Sequence, residues 1–162
     1  MESKLRLDTD VLVLGSGPAG FGAAYTAAKN GAKVILVEQC GDVGGISTTG
    51  LMSHWVGRCD SELFRKILSM SAERNEGEFK GKITETRGYT IPYRCLLPEV
   101  KENLLLSGRN ISGTHIAHSN FRAMPICLGI GEAAGVAAAI AVKTGKKLCE
   151  IDAKDIRKEL GI

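Results

Sequence analysis

Proline is scarce in this sequence, 4 of 162 residues, and aromatic residues make up only 5%. With so little proline the chain is not a Pro-rich low-complexity segment, and no G-X-Y period marks it as collagen-like. No uninterrupted apolar run reaches the ~18 residues expected of a membrane-spanning helix. The start, MESKLRLDTD, is charged and carries no apolar stretch of the kind a secretory signal needs. An excess of one charge is also missing. Basic residues number 21 and acidic residues 18, a net +3, with no basic run interleaved with aromatics, so nucleic acid is not an expected partner. The five cysteines (Cys40, Cys59, Cys95, Cys127, Cys149) are odd in number, irregularly spaced and without a CxxC. That pattern fits reduced thiols in a cytoplasmic protein better than a disulfide framework. No His/Cys/Asp cluster has metal-ligand spacing, and no metal is expected.

What is abundant is glycine: 20 residues, about 12%, against a typical ~7%. Glycine at that density does local backbone work, where φ is positive or another group must come close. The length suits a single domain over 1–162 that buries roughly two thirds of its unfolded surface.

Residues 10–15, DVLVLG, read as a short buried strand ending in glycine. Residues 18–29, PAGFGAAYTAAK, read as a helix that opens on proline and stops at Asn30-Gly31. Residues 33–37, KVILV, form a second buried strand closed by Glu38. Together they spell a right-handed βαβ unit with parallel strands. Residues 40–57 are a Gly/Ser/Thr-rich loop. A helix from Ser61 to Asn75 follows, with Leu63, Phe64, Ile67, Leu68 and Met70 on one side. Residues 75–90 are polar and glycine-broken, a connector between an N-terminal part (8–72) and a C-terminal part (91–162). In the latter, 91–98 is expected to be extended, 103–107 a buried strand, 110–123 a polar loop, 125–143 a small-residue helix and 152–160 a charged helix. The fold class is α/β: a parallel sheet with helices on both faces.

Gly15-Ser16-Gly17-Pro18-Ala19-Gly20 is GxGxxG, set between a strand and a helix, with Glu38 ending the next strand 18 residues beyond Gly20. Each glycine has a reason. Gly15 permits the tight turn, Gly17 lets the backbone approach a pyrophosphate, and Gly20 lets helix and strand pack closely. The helix start offers free N–H groups and a positive dipole end to phosphates. Glu38 can accept hydrogen bonds from a ribose diol, with Gln39 beside it. These residues point to a dinucleotide.

Gly44-Gly45-Ile46-Ser47-Thr48-Thr49-Gly50 resembles the segment that follows the ribose-binding acid in two-dinucleotide-binding flavoproteins. Asn103-Leu104-Leu105-Leu106-Ser107-Gly108-Arg109 is similar to their second FAD signature, with Arg109 where the commoner form has Asp. The strings IPYRCL (91–96), NLLLSGRNISGTH (103–115) and RAMPICLGIGEAAGVAAA (122–139) closely resemble the FAD-dependent oxidoreductase family. That resemblance covers roughly 8–72 and 88–160. It implies a glutathione-reductase-like FAD/NAD(P)-binding fold of Rossmann type, non-covalent FAD and an oxidoreductase function. It also implies that the helix start at Met124-Pro125-Ile126-Cys127 lies at the pyrimidine edge of the flavin, where a positive dipole end favours the reduced ring. Gly131 and Glu132 are open between helix packing and cofactor contact. The family's members carry a substrate domain where this chain has about 16 residues (75–90). A minimal cofactor-binding core is therefore expected, natural or designed, with the flavin exposed unless a homodimer covers it. A carrier module for electrons and an inactive scaffold are the alternatives.

The sequence singles out no catalytic residue. His54, His115 and His118 are the histidines; the last two precede the flavin helix and can serve as proton carriers or as plain hydrogen-bonding groups. Arg109 and Arg122 can pair with phosphates or lie on the surface. Cys127 at a helix N-terminus is expected to have a lowered pKa, yet it has no partner at CxxC spacing.

Overall fold

The computed structural model describes residues 5–52, 55, 59, 61–72 and 89–162. Strand β1 (Val11–Leu14) and strand β2 (Val34–Val37) pair in parallel, with Val11 opposite Val34 and Leu14 opposite Val37. Helix α1 (Pro18–Lys29) joins them, and the unit has the order read from the sequence. Pro18 needs no backbone donor in the first turn, and Asn30 followed by Gly31 at φ +86° ends the helix. Helix α2 (Glu62–Ala72) buries Leu63 and Phe64 against Leu128. Helix α3 (His115–Phe121), helix α4 (Met124–Thr144) and helix α5 (Ala153–Leu160) make up the C-terminal part.

The core forms where α4 lies on α1. Both helices are rich in small residues, so their backbones meet. A Cβ on Gly131 would stand 2.0 Å from the Ala19 carbonyl oxygen, and one on Gly135 2.4 Å from that of Ala23. One on Gly22 would stand 2.6 Å from the Leu128 carbonyl oxygen. Ala27, Leu128, Val136 and Ala137 are fully enclosed there. A second cluster joins Leu96, Ile111, Phe121, Ile130 and Ala134. The Tyr93 hydroxyl donates to the Leu148 carbonyl at 2.9 Å, and burial pushes its pKa up to about 12.

Several expectations are corrected. Residues 103–107 form no strand: Leu106 N–H donates to the Leu96 carbonyl at 2.8 Å, and Asn103 and Leu104 are exposed. A strand needs a ladder, and the neighbouring segment is a 3₁₀ turn (Tyr93–Leu96) rather than an extended edge. That turn also replaces the extended 91–98. Residues 110–123 contain α3 because Thr114 caps it, its hydroxyl accepting from Ala117 N–H at 3.2 Å. The described helices do not cover both sheet faces. Gly20 of α1 faces Val13, whereas Leu12, Leu14 and Val37 are 56%, 74% and 48% exposed. Among the described residues, nothing packs over that side. Helix α4 is long and apolar enough to cross a membrane by length and composition alone, although Glu132 interrupts its apolar run and most of it is buried in the core. Its small residues are instead spent on α1. The connector 75–88, His54 and the side chains of Leu68 and Met70 lie outside the described residues.

Glu132 sits inside this core at 5% exposure, and its Oε2 has no hydrogen-bond partner. Burial pushes its pKa up, opposed by the Ser61 hydroxyl and Lys29 and assisted by Glu62. The folded-state pKa therefore exceeds the ordinary 4.5, so the ionised form weakens folding and the penalty sets in as pH rises above that value. Replacing Glu132→Gln is expected to add ~1–2 kcal/mol at pH 7, a rise in Tm of roughly 2–8 °C. The gain should fade near pH 4. Melting curves of both proteins across pH check this, and an unchanged Tm at pH 7 contradicts it.

Candidate cofactor site

The site is built where three backbone segments meet the starts of two helices. Gly15 turns at φ +88° and its N–H donates to the Val37 carbonyl at 2.8 Å, so the turn continues the β1–β2 ladder. A Cβ on Gly20 would stand 1.8 Å from the Gly15 carbonyl oxygen, which is why helix and turn can close up only with glycine there. Gly17, the N-cap of α1, is different: a Cβ there meets no atom within 4 Å. No side chain caps α1. Its first-turn N–H groups after Pro18 therefore have no side-chain partner, as anion binding requires.

Glu38 faces this turn. Its Oε2 accepts from Ser16 N–H at 2.7 Å and the Ser16 hydroxyl at 2.5 Å; its Oε1 accepts from Gln39 N–H at 2.7 Å and Cys40 N–H at 3.0 Å. The Ser16 hydroxyl first, then the amides of Cys40 and Ser16, hold its pKa down at about 2 against an ordinary 4.5. Glu38 is thus a carboxylate throughout the neutral range, and the stability its partners lend is lost only as pH falls from 4.5 toward 2.

The Gly-Gly loop is tied to the same turn. Gly44 N–H donates to the Ser16 carbonyl at 3.0 Å, and Gly44 and Gly45 take φ of +116° and +56°. A Cβ on Gly45 would come within 3.0 Å of Gly17 Cα. Residues Gly45–Ser47 form a 3₁₀ turn, and the Ser47 hydroxyl reaches Met124 Sδ at 3.3 Å, so Ile46 and Ser47 lie by the start of α4. No side chain caps α4 either, and Pro125 occupies its first turn. Gly108, at φ +87°, abuts the Ala19 side chain. The Gly15–Gly20 turn, Glu38, Gly44–Ser47, Gly108 and Met124 are therefore brought together, with Gln39 at the exposed rim.

Other predicted residues have different surroundings. Gly131 packs on Ala19, so it serves the α1–α4 contact. The Cys127 thiol turns inward toward the Phe121 carbonyl at 3.5 Å; burial pushes its pKa up, against the expected lowering, and Arg109 opposes this. The helix dipole is outweighed because the thiolate would be desolvated. Arg109 and Arg122 are exposed. His118 Nε2 pairs with the Arg109 carbonyl at 2.6 Å, and its ring lies edge-on to Phe121. Sequence reasoning missed the amide of Cys40 and the hydroxyls of Thr48 and Thr49, which donate to the Val43 and Gly45 carbonyls at 2.9 and 3.0 Å and pin the loop. The Ser/Thr run after Gly45 carried that second signal; a backbone amide carries none.

The two glycines of the turn are separable by experiment. Gly17→Val fills only empty space, so the fold is expected to survive with an unchanged circular dichroism spectrum while phosphate binding is lost. Gly20→Val drives a side chain into the Gly15 carbonyl and is expected to unfold the domain. Equal stability of the two variants contradicts the geometry.

The residues present fit a dinucleotide: open space over Gly15 and Gly17, two uncapped helix starts and an ionised carboxylate. Soluble pyridine nucleotide transhydrogenase of Sodalis glossinidius is 37% identical over 76 residues, 47% of this chain and 15% of that protein. The Chromohalobacter salexigens protein of the same name is 39% identical over 83 residues, and that of Pseudomonas syringae pv. tomato 40% over 83, each 51% of this chain and 17% of the relative. The chain thus matches about a sixth of these relatives' length. No solved structure matches it. The model of the family described as FAD dependent oxidoreductase matches residues 10–76 and 68–160. With that coverage and this site, the chain belongs to the FAD dependent oxidoreductase family, and FAD is its cofactor.

Proposed function

We propose that the chain holds FAD non-covalently and works as the minimal cofactor-binding core of an FAD-dependent oxidoreductase. The observation that carries this reading is the convergence of the Gly15–Gly20 turn, Glu38, the Gly44–Ser47 loop and the start of α4 on one open surface. Bound FAD supplies the electron-transfer chemistry. The protein's part is binding and orientation. The turn and the first N–H groups of α1 hold the pyrophosphate, and Glu38 accepts from the ribose. The Gly-Gly loop follows the chain of the cofactor, and Gly108 and Arg109 border it from the C-terminal half. The uncapped start of α4 presents the Met124 and Ile126 amides to the flavin ring, where they favour the reduced, negatively charged form; Pro125 has no N–H and that of Cys127 is held by the Ala123 carbonyl.

The relatives' names make pyridine nucleotide the electron donor to try first. An electron-carrier module without its own substrate is the second reading, favoured by the open surface over the turn. Free thiols at Cys40, Cys95, Cys127 and Cys149 support a reducing, cytoplasmic setting. The apolar side chains Val43, Ile46, Leu51 and Met52 are exposed around the Gly-Gly loop, and they support a homodimer that covers the flavin.

Removing the Glu38 carboxylate takes away the ribose acceptor and the partner that orders the Ser16 turn, so Glu38→Ala is expected to weaken FAD binding several-fold. Fluorescence titration checks it, and an unchanged Kd refutes the ribose role. Mixing the FAD-loaded protein anaerobically with NADH or NADPH separates the readings. Bleaching of the flavin within seconds supports the oxidoreductase; reduction by dithionite alone leaves the carrier; failure to take up FAD refutes both. Light scattering of the loaded protein is expected to give twice the 17.2 kDa chain mass, and a monomer refutes the dimer.

A further inference from the structure

The Glu38 carboxylate is already full. A carboxylate offers about four lone-pair positions, and here four donors occupy them: the Ser16 amide and hydroxyl on Oε2, and the Gln39 and Cys40 amides on Oε1. A ribose hydroxyl that is to donate to Glu38 must displace one of the four. Three of them are backbone amides. The Gln39 and Cys40 amides follow Glu38 directly in the chain, and the Ser16 amide is fixed by the turn, whose neighbouring Gly15 N–H is held by Val37. Only the Ser16 hydroxyl can leave by rotating about a single side-chain bond.

That hydroxyl has somewhere to stay. Ser16 is fully enclosed, and Gly44 N–H approaches its Oγ at 3.3 Å while donating to its carbonyl at 3.0 Å. On release from Glu38 the Ser16 oxygen can keep the Gly44 N–H as its donor, while its own proton loses an acceptor in an enclosed place, a cost that the incoming ribose must offset.

We propose that Ser16 is a positioning residue that stands in for the ribose hydroxyl: its Oγ occupies the Oε2 position of Glu38 until the cofactor's ribose takes it over. This rests on the reading of Glu38 as the ribose acceptor. The exchange replaces one O–H···O⁻ bond by another, with no net gain of hydrogen bonds at Glu38. In the wild-type protein the ribose hydroxyl thus adds little to affinity, and the carboxylate stays satisfied, ionised and turned toward the site in the cofactor-free protein.

Two variants without a competent hydroxyl test it, Ser16→Ala and Ser16→Cys, the second keeping the volume of the enclosed side chain. Calorimetric titration of the cofactor-stripped full chain with ADP, 2′-deoxy-ADP and 3′-deoxy-ADP gives the discrimination for each ribose hydroxyl. Carboxyl NMR gives the titration of Glu38. The expected result is a discrimination ratio that rises about 3–10-fold in both variants relative to wild type, because the ribose no longer displaces a donor from Glu38. The Glu38 pKa should rise in both. An unchanged or smaller ratio, with Glu38→Gln still abolishing discrimination, overturns the exchange and leaves the ribose reading intact. Equal affinity for all three nucleotides in the wild type and in both Ser16 variants, unaffected by Glu38→Gln, overturns both.

Discussion

The close contact between α1 and α4 is the constraint on which the rest depends. These helices come from opposite halves of the sequence. Glycine and alanine bring the backbones together, so that Gly131 and Gly135 rest on the carbonyls of Ala19 and Ala23 and Gly22 rests on that of Leu128. Because Gly131 lies against the first turn of α1, the start of α4 is carried to the phosphate turn. Gly108 reaches Ala19 from the same half, and Met124 reaches Ser47. A larger side chain at any of these helix positions would move one half of the site away from the other. Dispersion at such short range is strong only while the fit is kept.

The polar parts of the site follow from that frame. Two helix starts without side-chain caps concentrate positive potential where they meet. Glu38 stands beside them as a carboxylate satisfied by neutral donors, chiefly Ser16 and Cys40, so it stays ionised without a cationic partner. A surface of this kind suits a ligand that carries phosphates and hydroxyls together. By contrast Glu132, buried in the same α1–α4 contact with an unpartnered oxygen, weakens folding where the site gains nothing visible from it.

Much of this was legible in the sequence because the signals are local. The βαβ unit is written in two apolar runs, a Pro start and an Asn-Gly stop, and Gly15 has the positive φ and Gly20 the close approach that their spacing suggested. What the sequence misled about depends on distant partners. LLL at 104–106 reads as a strand, yet an apolar run becomes one only beside an extended edge, and the 3₁₀ turn at Tyr93–Leu96 gives that run the Leu96 carbonyl while its Cys95 carbonyl goes to Ser112. Cys127 sits at a helix start, yet which way its thiol points is set by Phe121. Thr114 is an ordinary N-cap that signalled α3 and was hidden inside a polar stretch. The uncovered side of the sheet is invisible in a strand pattern that reads as buried on both faces.

The central claim is that the Gly15–Gly20 turn, Glu38, the Gly-Gly loop and the start of α4 together hold FAD. Its most direct test is the cofactor content of the protein as purified. The account predicts a yellow protein with flavin absorption that releases close to one FAD per chain on heat denaturation, identified by chromatography. A colourless protein that takes up no added FAD, or flavin that stays with the denatured chain, would contradict it.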